Sequence, residues 1–255
     1  MKVYKAYAKV NVFLKVTGVR DNYHEIVSRF MRIDSLYDEL SFTPKDEEEF
    51  KIIGNFSCQT NQNTIYKAYL ALMEELSCEA LVRLMKTYAV TVKKSIPAFA
   101  GLGGGSSDAA TFLKMCNEVL HLGLSLNELA KIGLKVGADV PFFIYGYNSA
   151  NVSGIGEIVE EFKEDSLDYE VFTPDVQIST PKVYQIYRKN FYSPIDGFEA
   201  DKLKKTTSLE ILGSMSAQEA NDLFRPALHE YKDLKNYYKQ GWHFSGSGSS
   251  FFRIK

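Results

Sequence analysis

The chain has 255 residues, 45% hydrophobic and 24% charged, which suits an ordinary globular protein of one large or two moderate domains with a real core. Its net charge of −2 excludes bulk nucleic-acid binding, which takes a strongly basic surface, and means that an anionic substrate must be drawn by a local field. Three cysteines (Cys58, Cys78, Cys116) without zinc spacing, no run approaching the roughly 20 apolar residues of a membrane span, and an N-terminus interrupted by Lys2, Lys5 and Lys9 point to a cytoplasmic protein with free thiols and no membrane partner.

Residues 3–16 alternate as one long strand or a strand pair, with Val10, Val12, Leu14 and Val16 on one face. Gly18 to Tyr23 reads as a polar turn, Ile26 to Leu40 as strand structure with a helix as the alternative, and the acidic run Asp46 to Glu49 as a solvated hairpin tip. Asn63 starts a helix whose apolar face is Ile65, Ala68, Leu72 and Leu76. Tyr88 to Lys93 has strand alternation, which Pro97 stops. Ala109, Phe112, Leu113, Cys116, Val119 and Leu120 recur at helical spacing, with Ser106 or Ser107 as cap and Gly123 at the far end. Ser125 and Glu128 form a capping box for a helix through Val136 that Gly137 ends. Beyond a soft domain boundary near residue 150, short strands are expected at 157–162, 169–173 and 176–179. Helices are expected near 181–191, 208–212 and 230–240, with Lys202 to Thr207 as a solvated connector. Ser245 to Ser250 is a second glycine-serine loop between aromatic segments, in a different context from the first, so no internal repeat is read.

The stretch between the strand at 88–93 and the helix after it carries the most chemistry. It runs Pro97, Ala98, Phe99, Ala100, Gly101, Leu102, Gly103, Gly104, Gly105, Ser106, Ser107. Glycines let several backbone N–H groups approach one anion, and the following helix points its positive end at the same place. The stretch is not a Walker A loop, because Ser106 follows Gly105 where lysine is needed, and it lacks the third glycine or alanine of a dinucleotide fingerprint. The alternative is a plain flexible glycine turn.

Three separated patterns, Ala8 to Leu14, the central loop, and Ser245 to Ser250, occur in the order of the three motifs of the GHMP small-molecule kinases, which this chain resembles over nearly its whole length. Tyr23-His24, Gly137 to Pro141 and Thr180-Pro181 are most similar to the branch acting on a cytidine-diphosphate-linked methylerythritol, in non-mevalonate isoprenoid precursor synthesis. The resemblance implies an α+β, two-lobed fold. An N-terminal lobe (residues 1–150) would be ribosomal protein S5 domain 2-like and carry the nucleotide, and a C-terminal lobe (151–255) would be ferredoxin-like. It implies ATP and Mg²⁺ as cofactors, a small-molecule acceptor rather than nucleic acid, and a monomer or homodimer. By the same resemblance Lys9 and Asp139 are catalytic, residues 97–107 wrap the triphosphate, and Asn11, Tyr23, His24, Asp139, Thr180 and Tyr184 line the substrate site. The chain departs from the family at Tyr7, where proline is usual, at Val19 to Asn22, which lacks the usual Asp-Gly, and in stopping soon after Phe252.

Residue by residue, plainer readings stand beside these. From alternation alone Lys9 is a solvated strand lysine, and Asp139 either caps the segment it opens or serves chemistry. His24 is a turn or core histidine, Tyr23 and Tyr184 are core aromatics, and Asp108 is an early-turn acid favoured by the helix dipole. Under the kinase reading Asp139 takes the proton of the attacking hydroxyl, Lys9 offsets charge on the phosphoryl group, and Ser107 contacts phosphate or Mg²⁺. The rival readings are a homoserine-, mevalonate- or galactose-type kinase on the same scaffold, and a nucleotide- or RNA-binding module without catalysis.

Overall fold

The computed structural model describes residues 2–255. Its elements begin with two long strands, β1 (Tyr4–Arg20) and β2 (Tyr23–Pro44), followed by the short β3 (Ile52–Ile53). Helices α1 (Thr64–Leu76) and α2 (Glu79–Thr87) lead into β4 (Tyr88–Lys93). Next come α3 (Gly104–Val119), α4 (Leu126–Leu134) and α5 (Val140–Tyr145). Strands β5 (Ser149–Gly154), β6 (Ile158–Glu161) and β7 (Tyr169–Phe172) follow, then α6 (Thr180–Ile186), α7 (Gly197–Lys205), α8 (Ser208–Ser214), α9 (Ala217–Ala220) and α10 (Phe224–Glu230). The chain ends in β8 (His243–Phe244) and β9 (Phe251–Ile254). It folds as two compact units of discontinuous sequence. One comprises residues 1–8, 34–98 and 103–146, and the other residues 9–33, 99–102 and 147–255.

In the first unit, β4 pairs antiparallel with β2 from Glu39↔Lys93 to Pro44↔Tyr88 and parallel with β3 at Ile52↔Val90. The acidic run Asp46 to Glu49 is therefore not a hairpin tip. The chain crosses over so that β4 lies between β2 and β3. Asn63 caps α1 by accepting the Ile65 N–H at 2.9 Å, and Ile65, Ala68 and Leu72 are buried as their spacing predicts. Helix α2, absent from the sequence expectation, buries Leu81 and Met85 but has no side-chain cap to announce it. Ser125 and Glu128 form the expected capping box on α4, which ends at Leu134, ahead of Gly137. Helix α3 differs from expectation at its start. Its N-cap is Gly103, at φ +73, with no side-chain cap from either serine.

In the second unit, β5 pairs antiparallel with β2 from Ile26↔Gly154 to Met31↔Ser149, and β6 pairs with β5. A separate small sheet runs β7-β9-β8, all antiparallel. Its core joins Leu14, Val16 and Ile26 to Val183, Tyr187, Phe224, Phe244 and Phe251. Residues 176–179 form no strand, although Ile178 is buried. The segment expected as a helix at 230–240 is instead α10 ending at Glu230, then a short 3₁₀ turn at Lys232–Asn236. Lys202 to Thr207 is not a solvated connector. Lys202 to Lys205 are the last turn of α7, Thr206 is its C-cap and Thr207 the N-cap of α8, and the Lys204 and Thr206 carbonyls receive a buried arginine. Arg29 is fully buried and donates to Asn151 Oδ1 (2.8 Å), Glu164 Oε1 (3.2 Å), Lys204 O (2.9 Å) and Thr206 O (3.2 Å), with the Phe162 ring 3.4 Å away. A buried guanidinium is tolerated where its donors find acceptors in this way.

Candidate active site

In the first unit the glycine loop leads into α3 through glycines that pack too closely for side chains. A Cβ on Gly104 would lie 2.9 Å from Ile96 Cγ2, and one on Gly105 would lie 3.2 Å from Thr64 Oγ1. Thr64 Oγ1 donates to Gly105 O at 2.6 Å. The result is a helix N-terminus of backbone N–H groups without a capping side chain, the arrangement an anion completes. Ser107 is buried in the first turn. Gly137 packs beside Ser106, where its Cβ would stand 3.9 Å from Ser106 Oγ. The segment bearing Asp139 thus runs along the start of α3. Asp139 stands at the N-cap of α5, but its side chain makes no capping bond, so the capping role does not account for it.

Below the loop is a buried charge cluster. Asp38 Oδ1 accepts the N–H groups of Ser95 (2.5 Å) and Ile96 (2.9 Å). Lys94 Nζ bridges Asp38 Oδ2 (2.5 Å) and Asp108 Oδ2 (2.7 Å). Two carboxylates share one ammonium. Burial pushes the Asp108 carboxyl up to about 7, against the pull of Lys94. The Lys94 ammonium lies above its ordinary range, because the two carboxylates outweigh the desolvation that acts first on it. Asp108 is therefore one arm of this cluster, which the expectation of an early-turn acid favoured by the helix dipole did not include.

In the second unit the structure gathers Lys9, Asn11 and the loop tip. Lys9 is only 3% exposed, so it is not a solvated strand lysine. Its Nζ donates to Asn11 Oδ1 (2.5 Å) and Gly101 O (3.2 Å), and its N–H to Leu102 O (3.0 Å). Asn11 Nδ2 donates to Ser28 Oγ at 2.9 Å, which points the amide oxygen at the ammonium. The second glycine loop folds onto the tip of the first. Ser249 and Ser250 N–H donate to the carbonyls of Phe99 (3.3 Å) and Ala100 (3.1 Å), and Ser245 Oγ donates to Gly101 O (3.1 Å). A Cβ on Gly248 would lie 1.9 Å from Gly101 N, so only glycine fits there. Asn221 secures the turn from behind, donating to Phe244 O (3.0 Å) and Gly246 O (2.8 Å). Neither Asn221 nor the loop-to-loop contact has a local signal, since the partners lie far apart in sequence.

The aromatic residues of this unit cluster around His24. It stacks on Tyr184 with ring centres 5.1 Å apart and interplanar angle 28°, and meets Tyr187 and Tyr192 edgewise or tilted. Tyr187 to Phe191 forms a π-helical turn after α6. Burial, followed by the charge of Arg188, holds the His24 imidazole below its ordinary range, and its Nε2 is buried without a hydrogen-bond partner. Tyr23 is 64% exposed. Thr180 shares a hydrogen bond with Ser247 at 2.6 Å, tying α6 to the second glycine loop. A cleft of about 490 Å³ in the same unit, lined by Lys15, Phe191, Asp222 and Arg225 among others, contains none of the predicted site residues.

Residues 63–147 match the family model for the GHMP kinases N terminal domain. Over 100% of its length the chain is 72% identical to a 4-diphosphocytidyl-2-C-methyl-D-erythritol kinase of Sulfurimonas denitrificans, covering 97% of that protein. The chain belongs to the 4-diphosphocytidyl-2-C-methyl-D-erythritol kinase family of GHMP kinases. The kinase of that name from a Sulfurovum species is 46% identical, with 98% of each chain covered. A crystal structure of a 4-(cytidine 5′-diphospho)-2C-methyl-D-erythritol kinase superposes with a TM-score of 0.72 at 28% identity, over 99% of this chain and 90% of that one. The mixed α+β architecture described above is that of the GHMP kinase fold.

Proposed function

We propose that the chain transfers the γ-phosphoryl group of ATP to a hydroxyl of 4-diphosphocytidyl-2-C-methyl-D-erythritol. The observation that carries this reading is the 72% identity, over the whole chain, to a kinase of that name. The geometry supports it in three places. The uncapped N-terminus of α3 and its glycines suit a polyphosphate. Lys9 is a buried cation held by the loop tip and by Asn11, placed to offset charge on the group in transfer. His24 presents an unsatisfied, neutral ring nitrogen within an aromatic cluster, as a nucleobase edge requires.

In this reading residues 97–107 cradle the triphosphate, and Asp139 accepts the proton of the attacking hydroxyl. Asn11, Tyr23, His24, Thr180 and Tyr184 orient the cytidine-bearing substrate. No group of three or more His, Cys, Asp or Glu among the described residues is arranged to hold a metal. In this reading the Ser107 hydroxyl, buried in the first turn of α3, would contact Mg²⁺ or a phosphate, and the ion would neutralise phosphate charge. We further propose a cytoplasmic, soluble enzyme acting as monomer or homodimer on a small molecule, without nucleic acid or membrane. Among the described residues no helix is long and apolar enough to cross a bilayer.

The test is a panel of hydroxyl acceptors, each incubated with the full chain, ATP and Mg²⁺ and read by phosphorus NMR. Transfer to the cytidine-diphosphate-linked methylerythritol and to none of homoserine, mevalonate or galactose is expected. Preference for an acceptor without cytidine, or nucleotide binding with no transfer to any acceptor, overturns the reading.

A further inference from the structure

We propose that Asp38, Lys94 and Asp108 are positioning residues for the nucleotide: a buried clamp that fixes the spacing between the strand entering the glycine loop and the helix leaving it. This rests on the nucleotide role proposed for residues 97–107. Asp38 on β2 holds both backbone N–H groups of the strand exit, at Ser95 and Ile96, immediately before Pro97. Lys94, at the end of β4, bridges that carboxylate to Asp108 on the second turn of α3. The helix itself starts on Gly104, whose Cβ position lies 2.9 Å from Ile96 Cγ2 and 3.5 Å from Lys94 Nζ. These three side chains and the Ile96 side chain thus tie the strand entering the loop to the helix leaving it.

As a source of stability the cluster is poor. It buries two carboxylates against one ammonium, and Asp108 Oδ1 is buried with no hydrogen-bond partner. Desolvation of such a group offsets most of what the attraction supplies, and a well-packed apolar set fills the same space at lower cost. What ionic contacts of 2.5 and 2.7 Å provide is a defined distance. Anion binding by backbone N–H groups needs that distance, because the donors must converge before the phosphates arrive. The cluster touches no phosphate in this argument and acts only through the loop.

The experiment uses the full chain and compares wild type with Lys94→Met, Lys94→Arg and Asp108→Asn. Nucleotide affinity is measured by calorimetry with a non-hydrolysable ATP analogue, and KM for each substrate by steady-state kinetics. Lys94→Met is expected to weaken the analogue at least about tenfold, while KM for the cytidine substrate stays within about twofold. Lys94→Arg, which keeps a cation between the carboxylates, is expected to recover most of the affinity. If Lys94→Met does not fold, the near-isosteric Asp108→Asn decides, with about threefold weaker nucleotide and an unchanged acceptor KM expected. Nucleotide affinity within twofold of wild type in the folded variants, or equal losses for both substrates, overturns the clamp. A wild-type chain that binds the analogue but phosphorylates no cytidine substrate refutes the kinase reading alone and leaves the clamp testable by calorimetry.

Discussion

The two stretches 101–107 and 245–250 are both built almost wholly of glycine and serine, the first richer in glycine and the second in serine, and they do opposite things. The first ends in a helix start with no side-chain cap, leaving backbone donors for something else to satisfy. The second uses its groups internally. Ser245 Oγ goes to Gly101 O, Ser247 Oγ meets Thr180, and Ser250 Oγ meets Thr173 at 2.7 Å, while its glycines allow backbone to lie on backbone. In the role proposed for it, glycine in the first stretch serves the approach of a ligand; in the second it serves the approach of the chain to itself. Composition alone does not separate these roles; the partner does.

The largest effect should come from breaking the architectural stretch. Gly248→Ala places a Cβ 1.9 Å from Gly101 N, 2.1 Å from Ala100 C and 2.5 Å from Gly101 Cα, all of them backbone atoms. A loss of about 3 kcal/mol or more in unfolding free energy is expected in denaturant titration, with all ligand binding lost alongside. If Gly248→Ala is as stable as wild type, the second stretch is not a support. Beside the ligand-facing stretch, Asp139→Asn should do the reverse. Turnover should fall at least about a hundredfold with unchanged thermal midpoint and nucleotide affinity, and unchanged turnover would remove Asp139 as the base.

His24→Ala sharpens the comparison at smaller scale. KM for the cytidine substrate is expected to rise about tenfold, the loss of roughly one hydrogen bond, with KM for ATP unaltered; equal shifts would place His24 outside the nucleoside site. The smallest effect is one of pH. Asp108 binds its proton more tightly folded than unfolded, so its stabilising contribution is complete below about pH 4 and is lost as pH rises to about 7. Wild-type stability should therefore fall relative to Asp108→Asn across that window, by on the order of 1 kcal/mol per pH unit, and level off above it. Parallel stability curves for the two proteins across the window would show that Asp108 keeps an ordinary carboxyl affinity for its proton.

Much that is local was legible. The limits of β4, the Ser125–Glu128 box and the Asn63 cap follow from neighbours within four residues. Resemblance singled out Lys9 and Asn11, and the structure brings them together at Gly101. The rest was hidden for one physical reason, that the deciding partner is distant. Lys202 to Thr207 looks like a charged connector until Arg29 is seen to need its carbonyls. Asp108 looks like a dipole acid until Lys94 and Asp38 are placed beneath it. Helix α2 carries an apolar pair, Leu81 and Met85, but no cap or breaker to mark it.

The apposition of Gly101 with Gly248 also bears on how the molecule is made. The tip of the first glycine loop takes its shape from residues far later in the chain, and β1 likewise waits for Asn221 and Asp222 to complete its bonding at Leu14 and Val16. Contacts so remote in sequence form late and slowly. On the ribosome, residues 99–102 emerge long before residues 245–250, which buttress them. On the nucleotide role proposed for residues 97–107, nascent chains should therefore gain the ability to retain nucleotide only once residues 245–250 have left the exit tunnel.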